Sequence, residues 1–173
     1  MNRSQLEHVI RAAASIAEDD EIYVFGSQSV LGALADPPPE LTVSMEADIA
    51  PKNKPEREAL IEGSIGELSP FHITFGYYAD GVEASALALP KSWEDRVIVI
   101  QNENTRLAKG LCLEPHDCAV SKLFAAREKD LAFVSAMLKH KIIQRDVLRQ
   151  RTPTVWKWRE KIPLVEGILN RIG

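Results

Sequence analysis

Hydrophobic residues come in short runs through the first two thirds of the chain and recur at helical spacing in the last third. A capping-box pattern from Ser4 to Glu7 predicts a first helix that continues to about Ala17. Apolar, aromatic or β-branched runs predict strands at residues 21–25, 41–49, 71–78, 96–101 and 110–113. Further helices are predicted at 28–34, 55–62, 115–138, 144–150 and 155–169.

This order of elements predicts an α+β fold, in which a sheet is flanked by helices. The length of 173 residues suits one domain, or one domain with a helical extension. We therefore expect a two-layer α/β core over residues 1–113 and a helical C-terminal part over 114–173 that packs on it.

The composition narrows the class of protein. The chain is 45% hydrophobic, which suits a packed core, yet no stretch approaches the ~20 apolar residues of a membrane span. The first residues form no apolar signal segment, so a cytoplasmic protein without a membrane partner is expected. Cys112 and Cys118 fit neither a redox pair nor a zinc knuckle, and we expect two reduced thiols in or near the core.

The net charge of −4 conceals an uneven distribution. From Lys139 to Arg171 there are nine Lys or Arg and three Asp or Glu, a local balance of +6. Such a segment suits RNA or an acidic partner, or is a solvated helical face. Trp156 and Trp158 are two residues apart and cannot both face the core of a helix, so one of them is a candidate for a partner surface.

The candidate chemistry lies in two short motifs. Glu46 and Asp48 are two residues apart in a predicted strand, so both side chains project from the same face. Two adjacent carboxylates repel unless a cation lies between them, and a divalent metal that holds a triphosphate would be such a cation. Gly26 and Ser27 follow the preceding strand and open a short helix, a turn through which backbone N–H groups can reach a phosphate.

Val24 to Ser27, the short helix after them, and Glu46 to Ile49 together resemble the signature of the polymerase-β-type nucleotidyltransferase superfamily. The resemblance is closest to small bacterial proteins of the abortive-infection and toxin–antitoxin type. It implies a mixed sheet flanked by helices, nucleotide phosphates at Gly26 and Ser27, and Mg²⁺ (or Mn²⁺) held by the two acids.

A second stretch, from His116 to Leu131, extends this resemblance. In the toxin-type enzymes a helix carrying Lys and then Asp closes the active site, which implies that Lys122 contacts the triphosphate and that Asp130 supports the site. The alternative interpretation is that Lys122 is a surface lysine on an amphipathic helix and that Arg127 and Asp130 form an intrahelical ion pair. The resemblance covers roughly residues 20–140.

Three positions depart from the superfamily pattern. The first acid is Glu46, where Asp is commoner, and the Asp36–Pro39 loop lengthens the gap that precedes it. The third acid is open: Asp80 follows a predicted strand and is our choice, although Asp80-Gly81 is also an ordinary turn signal. Glu67 and His72 are the other candidates for that position.

The leading hypothesis is therefore a Mg²⁺-dependent nucleotidyltransferase that uses an NTP. By resemblance, the acceptor is an RNA 3′ end, such as that of tRNA, or a protein side chain, and an antitoxin protein is an expected partner. The alternatives are a non-catalytic nucleotide- or partner-binding module on the same fold, and a plain α/β domain with acids on its surface. The first hypothesis predicts that Ser27, Glu46, Asp48 and Lys122 converge within about 10 Å around one cleft.

Overall fold

A mixed five-stranded sheet forms the centre of the protein, whose computed structural model describes residues 1–172. The strands are β1 (Glu21–Phe25), β2 (Glu46–Pro51), β3 (Tyr78–Gly81), β4 (Ile98–Ile100) and β5 (Lys109–Cys112), in the order β3-β2-β1-β5-β4. The helices are α1 (Arg3–Ala17), α2 (Val30–Ala33), α3 (Glu58–Ile65), α4 (Pro70–Phe75), α5 (Pro115–Ala125), α6 (Glu128–Lys139), α7 (Arg145–Arg151) and α8 (Ile162–Leu169). The predicted α+β class is confirmed.

Strand direction makes the sheet mixed. Strand β1 is antiparallel to β2 and parallel to β5, β2 is parallel to β3, and β4 is antiparallel to β5. The alternation along β1 separates two cores: Ile22 and Val24 pack with α1 and α3, while Tyr23 and Phe25 pack with the C-terminal helices. The C-terminal helices therefore share a hydrophobic core with the sheet.

A buried ionic cluster fixes α5 in place. The side chain of Asp117 is fully buried and accepts hydrogen bonds from Arg96 Nε at 2.8 Å and Arg151 Nη1 at 2.9 Å. Glu114 caps the N-terminus of α5 by accepting from the backbone N–H of His116, and it also pairs with Arg151. These contacts join α5 to the loop before β4 and to α7, which matters because α5 carries a residue of the candidate site.

The predicted start of the first helix is wrong. Asn2 is the N-cap, because its Oδ1 accepts from the backbone N–H of Gln5 at 2.9 Å, while the Gln5 side chain accepts from the backbone N–H of Asn2. Ser4 therefore lies inside the helix, and the predicted end at Ala17 is confirmed.

The predicted strand at 71–78 is also wrong, because most of that segment is helix α4. Ser69 Oγ accepts from the backbone N–H of His72 at 3.1 Å, and Pro70 occupies the first turn. Gly76, at φ +76°, ends the helix, and β-pairing begins only at Tyr78. Local capping outweighed the β propensity of the aromatic residues.

Two other boundaries differ from the prediction. The strand predicted at 41–49 pairs only from Glu46, because residues 39–41 form a 3₁₀ turn. The α-helix predicted at 155–169 begins at Ile162, with Pro163 in its first turn, and it is preceded by a non-helical stretch and a single 3₁₀ turn at Arg159–Lys161. None of the helices described over residues 1–172 is long and apolar enough to cross a membrane. Cys112 and Cys118 are buried free thiols, as expected.

Candidate active site

A sharp turn after β1 forms one wall of the site. Gly26 has φ +62° and ψ −157°, a conformation that side chains disfavour, and a Cβ on this residue would lie 2.0 Å from Asp48 Oδ2. The Gly26 carbonyl accepts from Ser29 Oγ at 2.8 Å and from Cys118 Sγ at 3.2 Å. Glycine is therefore required both for the turn and for its close approach to the carboxylate, and Ser27 follows at the edge of the cleft.

Three carboxylates come together beside this turn. Glu46 and Asp48 project from one face of β2, while Ala47 between them is fully buried in the core. The parallel register of β3 places Asp80 opposite Asp48 and Tyr78 opposite Glu46. The Tyr78 hydroxyl donates to Glu46 Oε2 at 3.4 Å. Asp80, our choice from the sequence, thus adjoins the acidic pair.

The carboxylates perturb one another's protonation. Burial, followed by the charge of Glu46, raises the pKa of Asp48 from 3.8 to about 7, with Lys122 acting in the opposite direction. Burial and the charge of Glu46 likewise raise the pKa of Asp80 to about 6. Negative charge is therefore in excess at these three carboxylates, and a cation bound between them would lower their mutual repulsion.

On the opposite wall of the site, the cationic side chains of Lys122 and Arg127 both pair with the buried carboxylate of Asp130. Lys122 Nζ on α5 lies 3.1 Å from Asp130 Oδ1, and Arg127 Nε lies 2.6 Å from Asp130 Oδ2. Burial alone would raise the pKa of Asp130, but the hydrogen bond from Arg127 and the charge of Lys122 hold it below its usual value. Lys122 Nζ also lies 4.7 Å from the ring centroid of Phe133. The Asp130 side chain is fully buried, and its two ion pairs hold the cationic side chains of Lys122 and Arg127 in place.

A cleft of about 530 Å³ lies between these walls, within the size range of small-ligand pockets. Ser27, Glu46, Asp48 and Lys122 all line it. A smaller recess of about 100 Å³ adjoins it and is lined in part by Gly26, Asp48, Lys122 and Asp130. The structure thus brings together all seven predicted site residues, with Asp80 joining the others through Asp48.

The donor set has the chemistry of an open metal site. Across residues 1–172 there is no cluster of three or more His, Cys, Asp or Glu side chains that could enclose a metal ion on its own. Carboxylate oxygens are the ligands that Mg²⁺ prefers, and Mg²⁺ is commonly held by one or two carboxylates together with substrate phosphates and water. Glu46 and Asp48 could hold such an ion, and their repulsion would be relieved by it.

Sequence reasoning missed part of the cleft. Its apolar side is formed by Leu41, Val43, Ala132, Phe133 and Ala136, and Lys129 adds a further cation. Val43 is 80% exposed although it is hydrophobic, and this exposure is visible only in the structure.

The remaining candidates lie at the border of the site or outside it. His72 Nδ1 accepts from the backbone N–H of Leu68 at 3.0 Å, and its ring lies 4.6 Å from that of Tyr78. Outside the site, Trp93 packs on Tyr23 and Phe25, with ring centroids 4.9 and 5.5 Å away, so this third tryptophan is part of the packed core rather than a site residue. Asp80 therefore has the more direct contact with the acidic pair.

Comparison with known proteins gives one result. A family model described as "Nucleotidyltransferase of unknown function (DUF6036)" matches residues 4–160. No curated protein and no solved structure matches the chain.

Proposed function

The chain belongs to the family of nucleotidyltransferases of unknown function (DUF6036), and on that premise we propose that its cleft transfers a nucleotidyl group from an NTP to an acceptor hydroxyl. One observation carries the proposal: the carboxylates of Glu46 and Asp48, with Asp80 beside them, lie across one cleft from Lys122 and Arg127, which both pair with the buried Asp130. That arrangement suits phosphoryl chemistry, which needs positioning and charge neutralisation above all.

Each element of the cleft has a role in this proposal. Glu46 and Asp48 hold a divalent cation, Mg²⁺ or Mn²⁺. Bound there, the cation would offset the charge of the triphosphate and polarise the reacting phosphoryl group. The backbone of Gly26 and the hydroxyl of Ser27 contact phosphate oxygens, and Lys122, held by Asp130, neutralises the departing end of the triphosphate.

The proposed transfer forms one P–O bond and breaks another. The acceptor oxygen attacks the α-phosphorus and forms a new P–O bond, while the bond from that phosphorus to the bridging oxygen breaks and pyrophosphate leaves. The proton of the acceptor hydroxyl passes to Asp80, the carboxylate that adjoins the metal-holding pair.

The acceptor in this proposal is an RNA 3′ end, such as that of tRNA, or a hydroxyl on a protein. The resemblance to toxin-type enzymes extends the proposal to a toxin held in check by an antitoxin protein. Growth arrest on expression, abolished by Asp48→Ala, would support the toxin role, and unimpaired growth with an active enzyme would refute it.

Binding and transfer are tested separately. Isothermal titration of each NTP with Mg²⁺ should show binding that weakens by at least about tenfold in Asp48→Ala, a change of about 1.4 kcal/mol. The matched control is Asp20→Ala, which removes an exposed carboxylate outside the site. Incubation of α-labelled NTPs with RNA and with cell extract then tests transfer. Binding without label transfer from any NTP would identify a non-catalytic module and refute the enzyme.

A further inference from the structure

A groove leads away from the acidic pair and begins at the small recess that adjoins the main cleft. The small recess beside Gly26 and Asp48 is also lined by Leu87, Ser121 and Ala125. The same three residues line the next recess, of about 180 Å³. The two recesses therefore adjoin one another along a shared wall, and Trp158 and Lys161 line the outer recess.

The segment that supplies Trp158 and Lys161 to this groove combines aromatic rings with cations, and its Trp156 and Arg159 lie beside the groove. Trp156 is 76% exposed, and the Arg159 guanidinium lies 4.4 Å from its ring centroid. Trp158 is half-buried, with Lys157 Nζ and Lys161 Nζ at 5.6 and 5.1 Å from its ring. These contacts account for both tryptophans left open by the sequence: one packs partly on the core, and the other faces solvent.

The local backbone fixes this surface against the groove. Residues 155–158 are not helical and residues 159–161 form a 3₁₀ turn, and along this short segment Trp156 is exposed whereas Trp158 packs partly on the core. Lys157 Nζ donates to the carbonyl of Ser85, and Thr154 Oγ1 accepts from the backbone N–H of Lys91 at 3.1 Å. The tryptophan segment is thereby tied to the loop that carries Leu87.

We propose that this groove binds a single-stranded nucleic acid and directs its terminal hydroxyl toward Asp48. Cationic side chains neutralise backbone phosphates, and exposed aromatic rings stack on unpaired bases, which is the recognition mode of single strands. Residues 156–161 carry three cations and one carboxylate, within a segment whose balance of +6 contrasts with −10 for the rest of the chain. A protein acceptor would need neither the stacking surface nor this charge. The inference rests on the proposed function for the reaction, but the binding surface stands on its own contacts.

The test is fluorescence anisotropy with a labelled 12-nucleotide single-stranded RNA, DNA of the same sequence, and the corresponding RNA duplex. Single strands should bind the full-length protein more tightly than the duplex, and the comparison of RNA with DNA identifies which nucleic acid is preferred. Trp156→Ala should weaken binding about 5- to 100-fold, as expected for the loss of one stacked base, and Trp156→Phe should restore most of it. Arg159→Ala should reduce the slope of log K against log salt by about 1.

Matched controls lie outside the groove. Phe75→Ala removes an aromatic side chain that is 47% exposed on α4, and Arg106→Ala removes an exposed cation after β4. Neither should change the affinity. Equal binding of the single strand by wild type, Trp156→Ala and Arg159→Ala would overturn the inference, as would equal or tighter binding of the duplex.

Failure of the inference is distinguishable from failure of the proposed function. Asp48→Ala should still bind the single strand, and Trp156→Ala should still bind NTP and Mg²⁺. Strand binding without any nucleotidyl transfer would refute the enzyme and leave the surface intact. Transfer to a protein hydroxyl, with no strand binding, would refute the surface and leave the enzyme intact.

Discussion

The contribution of Asp48 to the stability of the metal-free protein should fall as the pH rises from about 4 to about 7. The cause is Asp48, whose pKa is raised from 3.8 to about 7 by burial and by Glu46. Between these values the native state binds more protons than the unfolded chain, so the free energy of unfolding decreases with pH. The difference corresponds to at most about 4 kcal/mol at ~1.36 kcal/mol per pH unit, and sharing of the charge with Asp80 lowers it.

Asp48→Asn tests this reasoning, since it keeps the shape of the side chain and removes its charge. In urea titrations with EDTA at pH 5, 6, 7 and 8, wild type should lose at least about 1–2 kcal/mol of stability relative to the variant across the series. Asp20→Asn, an exposed substitution of the same kind, should follow wild type. Addition of Mg²⁺ at pH 8 should stabilise wild type and not Asp48→Asn. Parallel pH profiles for wild type and Asp48→Asn would refute the argument.

Three further predictions follow from single contacts. Gly26→Ala should lower the free energy of unfolding in urea by about 1–3 kcal/mol, because its Cβ would lie 2.0 Å from Asp48 Oδ2. Gly63→Ala on α3, where a Cβ meets nothing within 4 Å, should be neutral or stabilising, and equal effects of the two substitutions would contradict this prediction. Asp117→Asn should cost about 3 kcal/mol in the same assay, since two arginines lose a fully buried partner, and a loss below about 1 kcal/mol would show that the cluster is not structural. Asp130→Asn should weaken NTP binding about tenfold in titration calorimetry by releasing Lys122, and unchanged affinity in a folded variant would exclude a positioning role.

Patterns of local origin were predictable from the sequence. A period of two placed Glu46 and Asp48 on one face and Ala47 in the core, and the structure confirms this geometry. The strand at 21–25 and the end of the first helix were also confirmed, because each depends on neighbouring residues alone. The roles of the site residues in binding and catalysis stay predictions.

Features that depend on distant parts of the chain were not settled by the sequence. The choice of Asp80 needed the register between β2 and β3, since Asp80-Gly81 has the same local pattern as a turn. Helix α4 was missed because aromatic residues favour a strand until Ser69 caps the segment. The place of Lys129 on the cleft depends on how α6 packs, and no local pattern signals that.

The ion pairs around Asp130 have a consequence for the order in which ligands arrive. The site holds five carboxylates, Glu40, Glu46, Asp48, Asp80 and Asp130, against three cationic side chains, Lys122, Arg127 and Lys129. A free triphosphate therefore approaches a surface that does not attract it, whereas a divalent ion reverses the local sign of the potential. Productive encounters should accordingly begin with the cation, or with nucleotide that already carries one, which keeps the cleft from filling with bare anions.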